Sequence, residues 1–249
     1  MLTHLVLPWE LSSATAMLPP LGEGRVLFLD SPSKGTALPF HRKKLVLVLS
    51  ASRHFEQELR EAGHEVHRRM GASYAEGIRD WLREHPDDQV VVQQPAEWGI
   101  AQSIGAVAAE DPRVQIVPDR RFLVSREEFA DWAAGRKLLR MEDFYRMQRK
   151  RFGLLMEADG TPAGGQWNLD ADNQKSAKAL LKRGLPAPPL SFPPDAITAE
   201  VLQYVEGRQA PQWGSAAGFG FPVTRAQALE ALDDFLLHRL ADFGPYEDA

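Results

Sequence analysis

Short apolar runs in the N-terminal half of this sequence are followed by side chains that can stack on a small molecule or form hydrogen bonds with it. An indole ring stacks on a flat heterocycle, and a carboxylate accepts hydrogen bonds from its N–H groups or from ribityl hydroxyls. We therefore predict a binding pocket, with the candidate contacts Trp9, Glu10, Leu11, Asp30, Ser31 and Glu97. The alternative is a structural role, in which Asp30 caps a loop and Trp9 and Trp98 pack a helix against the sheet.

A second concentration of polar and aromatic side chains lies between Gly164 and Lys175, which reads GGQWNLDADNQK. Its pattern fits neither an amphipathic helix nor an alternating strand. It follows a basic, aromatic segment, Met141–Phe152, in which Arg146, Arg149 and Lys150 share one side of a predicted helix. That side either binds phosphate or the carboxylates of a neighbouring domain, or it is a solvated face, and the sequence leaves both open.

Several classes of catalytic and metal site are excluded by what the sequence lacks. It has no cysteine, which excludes disulfides, thiol catalysis and cysteine-ligated zinc or iron–sulfur sites. The histidines do not have the spacing of a zinc motif, and the motifs of hydrolase, dinucleotide and P-loop sites are missing. The net charge of -5 argues against a surface that coats nucleic acid. We name no catalytic residue and no metal ligand.

The pocket candidates require elements that hold them together, and strand and helix signals alternate over the first half of the chain. Strands are predicted at 2–7, 25–29, 65–69, 89–93 and 114–117, and helices at 39–63, 73–84 and 97–109. Pro39 suits the first turn of the long helix and Gly63 its end. This alternation predicts an α/β fold, a Rossmann-like parallel five-stranded sheet flanked by helices. Ligands of such sheets bind beyond the carboxyl ends of the strands, where the pocket candidates lie.

The second half of the chain changes character and predicts a mainly helical linker region. Helical patterns cover 125–134, 141–152, 198–205 and 224–240, the last with Thr224 as its N-cap, and a proline-rich passage runs from 186 to 194. No apolar run approaches the roughly 20 residues of a membrane span, and no signal peptide precedes the first strand. We therefore expect a cytoplasmic protein.

The order of several segments resembles that of the photolyase-related proteins, in particular the bacterial (6-4) photolyase and iron–sulfur cryptochrome branch. The segments are 41–55, 135–146, 164–175, 219–226 and 243–249. The pattern GGxWNxDxxN, preceded by the tract Arg151–Met156, is the most specific of them. The resemblance extends over nearly the whole chain.

The resemblance implies three segments: an antenna-type α/β domain at 1–135, an interdomain linker at 136–223, and the start of a helical FAD domain at 224–249. Family members can hold an antenna chromophore in the first domain, a ribityl-lumazine in characterised branches. Their helical domain carries FAD, the repair histidines and four cysteine ligands of a [4Fe–4S] cluster. Because this chain lacks cysteine and has about half the family's length, we expect no FAD or cluster in it. The implied antenna is a ribityl-lumazine or a flavin-type molecule.

The sequence departs from the family at positions close to the expected function. Pro8, Trp9, Glu10 and Leu11 stand where the family has Gly-Asp-Gln-Leu, Asp30 replaces a glutamate, and Gly99 replaces an arginine. In the glycine-rich motif, Gln166 and Gln174 replace arginines, which removes two guanidinium forks. Within that motif we expect the residues Trp167, Asn168, Asp170, Asn173 and Lys175 to order the linker and contact a partner domain.

Three functions follow from the residues and the resemblance. The first is an antenna-chromophore domain of a photolyase- or cryptochrome-related protein, without enzymatic activity of its own. Alternatively, the chain is part of an active (6-4) DNA photolyase whose chemistry lies outside it, with the helical FAD domain as partner and DNA reached through that domain. The third is a scaffold that has lost its chromophore and associates, as a homo-oligomer, through the apolar helix Thr224–Leu240.

Overall fold

A computed structural model describes residues 1–14, 16–31, 39–208 and 211–247. Five strands form one sheet: β1 (Leu2–Val6), β2 (Gly24–Asp30), β3 (Glu65–Met70), β4 (Gln89–Gln93) and β5 (Val114–Val117). Their order is β3-β2-β1-β4-β5 and every pairing is parallel. Leu2 of the central strand aligns with Gly24 on one side and Gln89 on the other. The predicted Rossmann-like α/β fold is confirmed.

The seven predicted helices lie close to their predicted positions, and the described residues form two further helices, at 177–183 and 240–246. They are α1 (Arg42–Glu61), α2 (Tyr74–Glu84), α3 (Trp98–Glu110), α4 (Arg126–Ala133), α5 (Met141–Phe152), α6 (Ala177–Arg183), α7 (Ala196–Gly207), α8 (Arg225–His238) and α9 (Leu240–Tyr246). No described residue between β1 and β2 is helical, so that connection differs from the other three of the sheet. None of the described helices is both long and apolar enough to cross a membrane.

Capping side chains explain where α1 and α7 begin. The prediction that Pro39 lies in the first turn of the long helix is wrong, because His41 is the N-cap and its Nδ1 accepts a hydrogen bond from the Lys43 N–H at 3.0 Å. At the other end, Gly63 lies just beyond the helix with φ of +92°, as its predicted role requires. Helix α7 begins two residues before the predicted Thr198, because Asp195 accepts a hydrogen bond from the Thr198 N–H at 2.8 Å.

The side chains of each central strand divide between two apolar clusters, one on each face of the sheet. Leu27 and Leu29 of β2 join a cluster with Ile78, Trp81 and Ile104, whereas Val26 and Phe28 pack with Phe55 and Leu59 of α1. Successive residues of a strand point to opposite faces, so both faces of β2 are covered and its residues 26–29 are all apolar. Of these, Trp81 of α2 is 1% exposed.

Residues 191–230 return to the sheet domain, although the sequence analysis placed them in the linker and the helix that follows it. Together with residues 1–123 they form one compact unit. Helix α7 packs antiparallel to α1, since His54 Nε2 lies 3.1 Å from Asp195 Oδ2 at the start of α7, and Arg42 lies 3.9 Å from Glu206 at its end. Val46, Val201 and Val205 are fully buried between the two helices.

A second compact unit comprises residues 124–190 and 231–249, of which 248 and 249 lie outside the described residues. It contains α4, α5, α6, α9 and the second half of α8. Helix α4 begins with a complete capping box, in which Ser125 and Glu128 exchange hydrogen bonds. Gly153 ends α5 with φ of +63°, a conformation that glycine adopts without steric cost.

Candidate functional site

A cavity of about 360 Å³ lies at the carboxyl ends of β1, β2 and β3, within the first compact unit. Helices α1 and α7, together with the first residue of α2 and the residue before α3, complete its wall. Its lining residues are Pro8, Trp9, Leu29, Asp30, Ser31, Phe40, Lys44, Leu45, Val48, Leu49, Arg53, Met70, Tyr74, Glu97, Tyr204 and Arg208. The volume is at the lower end of the range of small-molecule sites, roughly 300–1,000 Å³.

Four of the six predicted pocket residues line this cavity. Trp9, Asp30, Ser31 and Glu97 come from three segments of the chain that are far apart in sequence, and the parallel sheet brings them together. Leu11 lies instead at a separate cavity, between α1 and the start of α8, within the same unit. Glu10 is 1% exposed and does not line the cavity. The ligand contacts assigned to these residues remain predictions.

Trp9 and Tyr74 form an aromatic corner of the cavity. Their ring centroids lie 6.3 Å apart with an angle of 79° between the planes, the edge-to-face arrangement that aromatic pairs favour. The Trp9 carbonyl accepts a hydrogen bond from Arg121 Nη1 at 3.2 Å, which fixes the loop after β1. The flat face that such a corner presents is the surface on which a heterocycle stacks.

Tyr74 enters this corner because α2 packs unusually close to the sheet. A side-chain carbon at Gly77 would lie 2.9 Å from a methyl carbon of Leu29, so a larger residue at this position would displace that side chain of β2. Ser73 caps the helix one residue before the tyrosine. Burial raises the pKa of the Tyr74 hydroxyl, and the negative charges of Asp30 and Glu97 raise it further. The hydroxyl therefore stays protonated and available as a hydrogen-bond donor.

Asp30 is held by an arginine behind the cavity. Arg68 Nη1 donates a hydrogen bond to Asp30 Oδ1 at 2.7 Å, while its Nε pairs with Glu56 and its Nη2 donates to Ser52 Oγ at 3.0 Å. Glu56 is itself 6% exposed, so this network is largely shielded from water. The guanidinium fixes the orientation of the Asp30 carboxylate, which is the form of support that binding residues need.

Ser31 and Glu97 complete the polar wall on the sheet side. Ser31 Oγ donates a hydrogen bond to the Ala72 carbonyl at 3.1 Å, which ties the end of β2 to the loop before α2. Glu97 is the N-cap residue of α3, but its side chain makes no capping hydrogen bond. Its carboxylate is instead part of the cavity wall, close enough to Tyr74 to affect the pKa of that hydroxyl.

Glu10 is a buried acid with incomplete hydrogen bonding. Its Oε2 accepts a hydrogen bond from the Leu7 N–H at 3.1 Å, and its Oε1 has no partner among the described residues. Burial raises the pKa of this carboxyl to about 7, against the opposing effects of the Leu7 hydrogen bond and the positive charge of Arg121. Glu10 therefore titrates near neutral pH, beneath the loop that carries Trp9.

The helical side of the cavity carries cations and aromatic rings. Lys44 Nζ lies 4.1 Å from the centre of the Phe40 ring, and the Arg208 guanidinium lies 5.7 Å from the centre of the Tyr204 ring. Arg53, further along α1, lies 3.9 Å from Glu200. The cavity thus has carboxylates on its sheet side and cations on its helical side.

Sequence reasoning missed Tyr74 and all residues of the helical wall. On α1 the spacing of Phe40, Lys44 and Val48 places them on one face, a signal that was open to detection. No such signal existed for Tyr204 and Arg208, because the return of α7 to α1 depends on packing between distant segments.

In the second unit, the basic residues of α5 surround a single indole ring. Arg146, Arg149 and Lys150 each lie within 5.2–5.5 Å of the centre of the Trp167 ring. Arg149 is 6% exposed, and its guanidinium donates to the carbonyls of Leu154 and Leu155. The shared side of the helix predicted from sequence therefore faces the glycine-rich motif of its own unit.

The remaining motif residues shape the chain after Trp167. Asn168 Oδ1 accepts a hydrogen bond from the Asp170 N–H at 2.7 Å, which forms a local turn. Asn173 Nδ2 donates to Glu247 at 3.2 Å, and the Lys175 N–H donates to the Pro245 carbonyl at 3.0 Å. Asn173 and Lys175 thus pair with the C-terminal helix of the same unit and the residue that follows it. The predicted contact of these residues with a partner domain remains a prediction.

The cavity fits a flat heterocycle with polar substituents. Rings of Trp9 and Tyr74 offer stacking surfaces, the anchored Asp30 carboxylate accepts hydrogen bonds, and apolar side chains of α1 keep the centre dry. Within residues 1–14, 16–31, 39–208 and 211–247, no group of three or more histidine, aspartate or glutamate side chains is placed to hold a metal ion.

Comparison with known proteins gave two findings. Residues 4–221 match the family model described as deoxyribodipyrimidine photo-lyase-related protein. The chain is also 37% identical to a protein named (6-4) photolyase from Agrobacterium fabrum, over 254 aligned positions. That alignment covers 98% of this chain and 49% of the relative, so the chain spans about half the length of the curated relative.

Proposed function

The chain belongs to the deoxyribodipyrimidine photo-lyase-related protein family, and from this premise we propose that its first unit is an antenna-chromophore domain. In this proposal the cavity at the carboxyl ends of the strands binds a ribityl-lumazine or a flavin-type heterocycle. When bound, such a molecule absorbs near-ultraviolet or blue light and passes the excitation energy to a flavin held elsewhere. The chain itself needs no bond-making residue for that role.

The observation that carries the proposal is the convergence of four independently predicted residues on one cavity. Trp9, Asp30, Ser31 and Glu97 were selected because their side chains can stack or form hydrogen bonds and because they follow strands of a parallel sheet or precede a helix at its edge. A structural role for Asp30 as a loop cap does not account for its pairing with Arg68 inside the wall.

The residues of the cavity have distinct tasks in this proposal. Trp9 and Tyr74 hold the flat face of the ring by stacking and edge contacts. Asp30, oriented by Arg68, accepts a hydrogen bond from a ring N–H or a ribityl hydroxyl, and Tyr74 donates one from its protonated hydroxyl. Leu45 and Leu49 of α1 exclude water from the centre, which strengthens each of these hydrogen bonds.

The test is an absorption spectrum of the protein purified from its own host. A band in the violet or blue that co-purifies at about one chromophore per chain is expected. Release of the chromophore by denaturation, followed by its mass, identifies it. A colourless protein that also fails to bind added 6,7-dimethyl-8-ribityllumazine would refute the proposal.

A second candidate is that the chain forms part of an active (6-4) DNA photolyase. The relative with that name favours it, because the similarity extends over 98% of this chain. In this case the chromophore would serve light-dependent repair by a helical FAD domain, which would also supply the contact with DNA. Co-expression with any downstream reading frame that encodes four cysteines, followed by a repair assay with and without light, tests this candidate. Light-independent or absent repair by the complex would exclude it.

A further inference from the structure

The cavity has carboxylates on its sheet side and cations on its helical side, and this difference indicates the charge of the ligand. On the sheet side, the Asp30 carboxylate is already neutralised by Arg68 at 2.7 Å, from behind the wall. On the helical side, Lys44 and Arg208 form no ion pair with any residue that the structure describes. Arg53, the third cation at the cavity, lies 3.9 Å from Glu200, so Lys44 and Arg208 are the two lining cations without a carboxylate at ion-pair distance among the described residues.

Both cations are held over aromatic rings of the cavity wall. Lys44 lies above Phe40, in the first turn of α1, and Arg208 lies one helical turn beyond Tyr204, at the end of α7. Because α7 runs antiparallel to α1, the end of α7 lies beside the first turn of α1, as the pairing of Arg42 with Glu206 shows. The two cations thus belong to the same end of the cavity.

This end is more open to solvent than the aromatic corner. Tyr204 is 43% exposed and Lys44 is exposed, whereas Tyr74 is 6% exposed. A ligand whose ring lies against Trp9 and Tyr74 would extend its substituent along α1, past Val48, toward Lys44 and Arg208. Two cations beside a solvent-accessible opening are the side chains that commonly bind a phosphate group.

We propose that the ligand of this cavity carries an anionic tail, a phosphate on its ribityl chain, which is bound by Lys44 and Arg208. The inference rests on the proposed antenna function and specifies its ligand class: a phosphorylated ribityl heterocycle rather than a neutral one. Lys44 supplies a mobile ammonium, and the Arg208 guanidinium forms paired hydrogen bonds with phosphate oxygens.

The test compares ligands that differ only by the phosphate. Dissociation constants are measured for 6,7-dimethyl-8-ribityllumazine and its 5′-phosphate, and for riboflavin and FMN, by fluorescence titration at low and high salt. One of the two ring systems is expected to fit the cavity. For that ring system, the phosphorylated ligand should bind at least about tenfold more tightly than the unphosphorylated one at low salt, and this preference should shrink at high salt. The measured quantity is the ratio of the two dissociation constants.

Variants identify the residues that are responsible for that ratio. Lys44→Gln and Arg208→Gln are each expected to reduce the ratio by roughly fivefold or more, because each removes one charge from the phosphate. Lys43→Gln is the matched control: it removes the same charge from the adjacent residue, whose Nζ lies 3.4 Å from the Gly218 carbonyl and which does not line the cavity. It should leave the ratio unchanged.

Each result has a definite meaning. Equal affinity for both members of a pair would overturn the anionic-tail inference and leave the antenna proposal standing. A preference for phosphate that Lys43→Gln reduces as strongly as Lys44→Gln would also overturn it, because the effect would then come from general charge. Failure of all four ligands to bind would overturn the antenna proposal, and the inference with it.

Discussion

Glu10→Gln is expected to stabilise the protein at pH 8 by much more than at pH 5. The carboxyl is 1% exposed, and burial raises its pKa from 4.5 to about 7. At pH values between 4.5 and about 7, this carboxyl is therefore protonated to a greater extent in the folded state than in the unfolded state. Stability is therefore lost as the pH rises from about 4.5 to about 7. Glutamine has no charge to bury, and its carbonyl can keep the hydrogen bond from the Leu7 N–H.

The magnitude follows from the size of the shift. A difference of 2.5 between 4.5 and about 7 corresponds to roughly 3.4 kcal/mol of lost stability well above pH 7, at about 1.36 kcal/mol per pKa unit. At pH 5 the same relation leaves a penalty of about 0.8 kcal/mol, so the benefit of Glu10→Gln should grow by about 2.5 kcal/mol between pH 5 and pH 8. The attraction of Arg121 for the Glu10 carboxylate is already contained in the pKa of about 7, so it needs no separate correction.

Urea unfolding of both proteins at pH 5, 6, 7 and 8 measures the effect. Subtracting the wild-type curve from that of the variant removes the pH dependence of all other groups. Glu23→Gln is the matched control in the same unit, because it makes the same exchange at an exposed side chain. A Glu10→Gln effect that is independent of pH, or that grows toward pH 5, would refute the reasoning.

Four further changes test other parts of the account. Arg68→Met leaves the buried Glu56 with Arg60 as its remaining partner and removes the partner of Asp30, and it should lower the free energy of unfolding by about 2 kcal/mol in urea; a loss below 1 kcal/mol would contradict the buried network. Trp167→Leu removes the aromatic ring that contacts three cations of α5 and should destabilise the second unit by about 1 kcal/mol. Proteolysis within residues 124–190 should then be faster than in the wild-type protein. An unchanged rate of cleavage would contradict a cation–π contribution. Asp195→Ala removes the N-cap of α7 and should lower the free energy of unfolding in urea by about 1 kcal/mol at pH 7. Burial raises the pKa of the Asp195 carboxyl, but hydrogen bonds with Thr198 and the nearby His54 lower it more, so the net pKa is below 3.8. The stabilisation by this carboxylate should therefore be lost only as the pH falls below 3.8. Leu237→Glu places a charge on a residue that is 78% exposed on an apolar helix and should shift any homo-oligomer toward monomer in sedimentation velocity, whereas an unchanged distribution would exclude this face.

The strands were predictable because buried parallel strands leave a plain mark in the sequence. Both faces of β2 and β4 are covered, so their central residues are continuously apolar, and polar residues mark the ends of both strands. The start of α1 was misplaced because Pro39 also suits a first helical turn, and the cap by His41 depends on side-chain geometry. Helices α6 and α9 have seven residues each, too few for a clear periodicity.

The candidate site was predictable only on its sheet side. A general rule of parallel sheets placed Trp9, Asp30 and Glu97 at one edge before any contact was known. That rule does not distinguish residues that face the cavity from those that turn inward, which is why Glu10 was selected with Trp9. The helical wall depends on α7, which returns to α1 from a distant part of the chain, and no local pattern encodes such packing.

Binding of 6,7-dimethyl-8-ribityllumazine to wild-type protein, Trp9→Leu and Trp98→Leu tests the central claim most directly. Trp9 lines the cavity against Tyr74, whereas Trp98 is 73% exposed and does not line it, so the two variants lose the same side chain at different places. We expect saturable binding at one site per chain, with affinity weakened at least about tenfold in Trp9→Leu and unchanged in Trp98→Leu. Equal affinity in all three proteins, or no binding to any of them, would contradict the assignment of this cavity as the chromophore site.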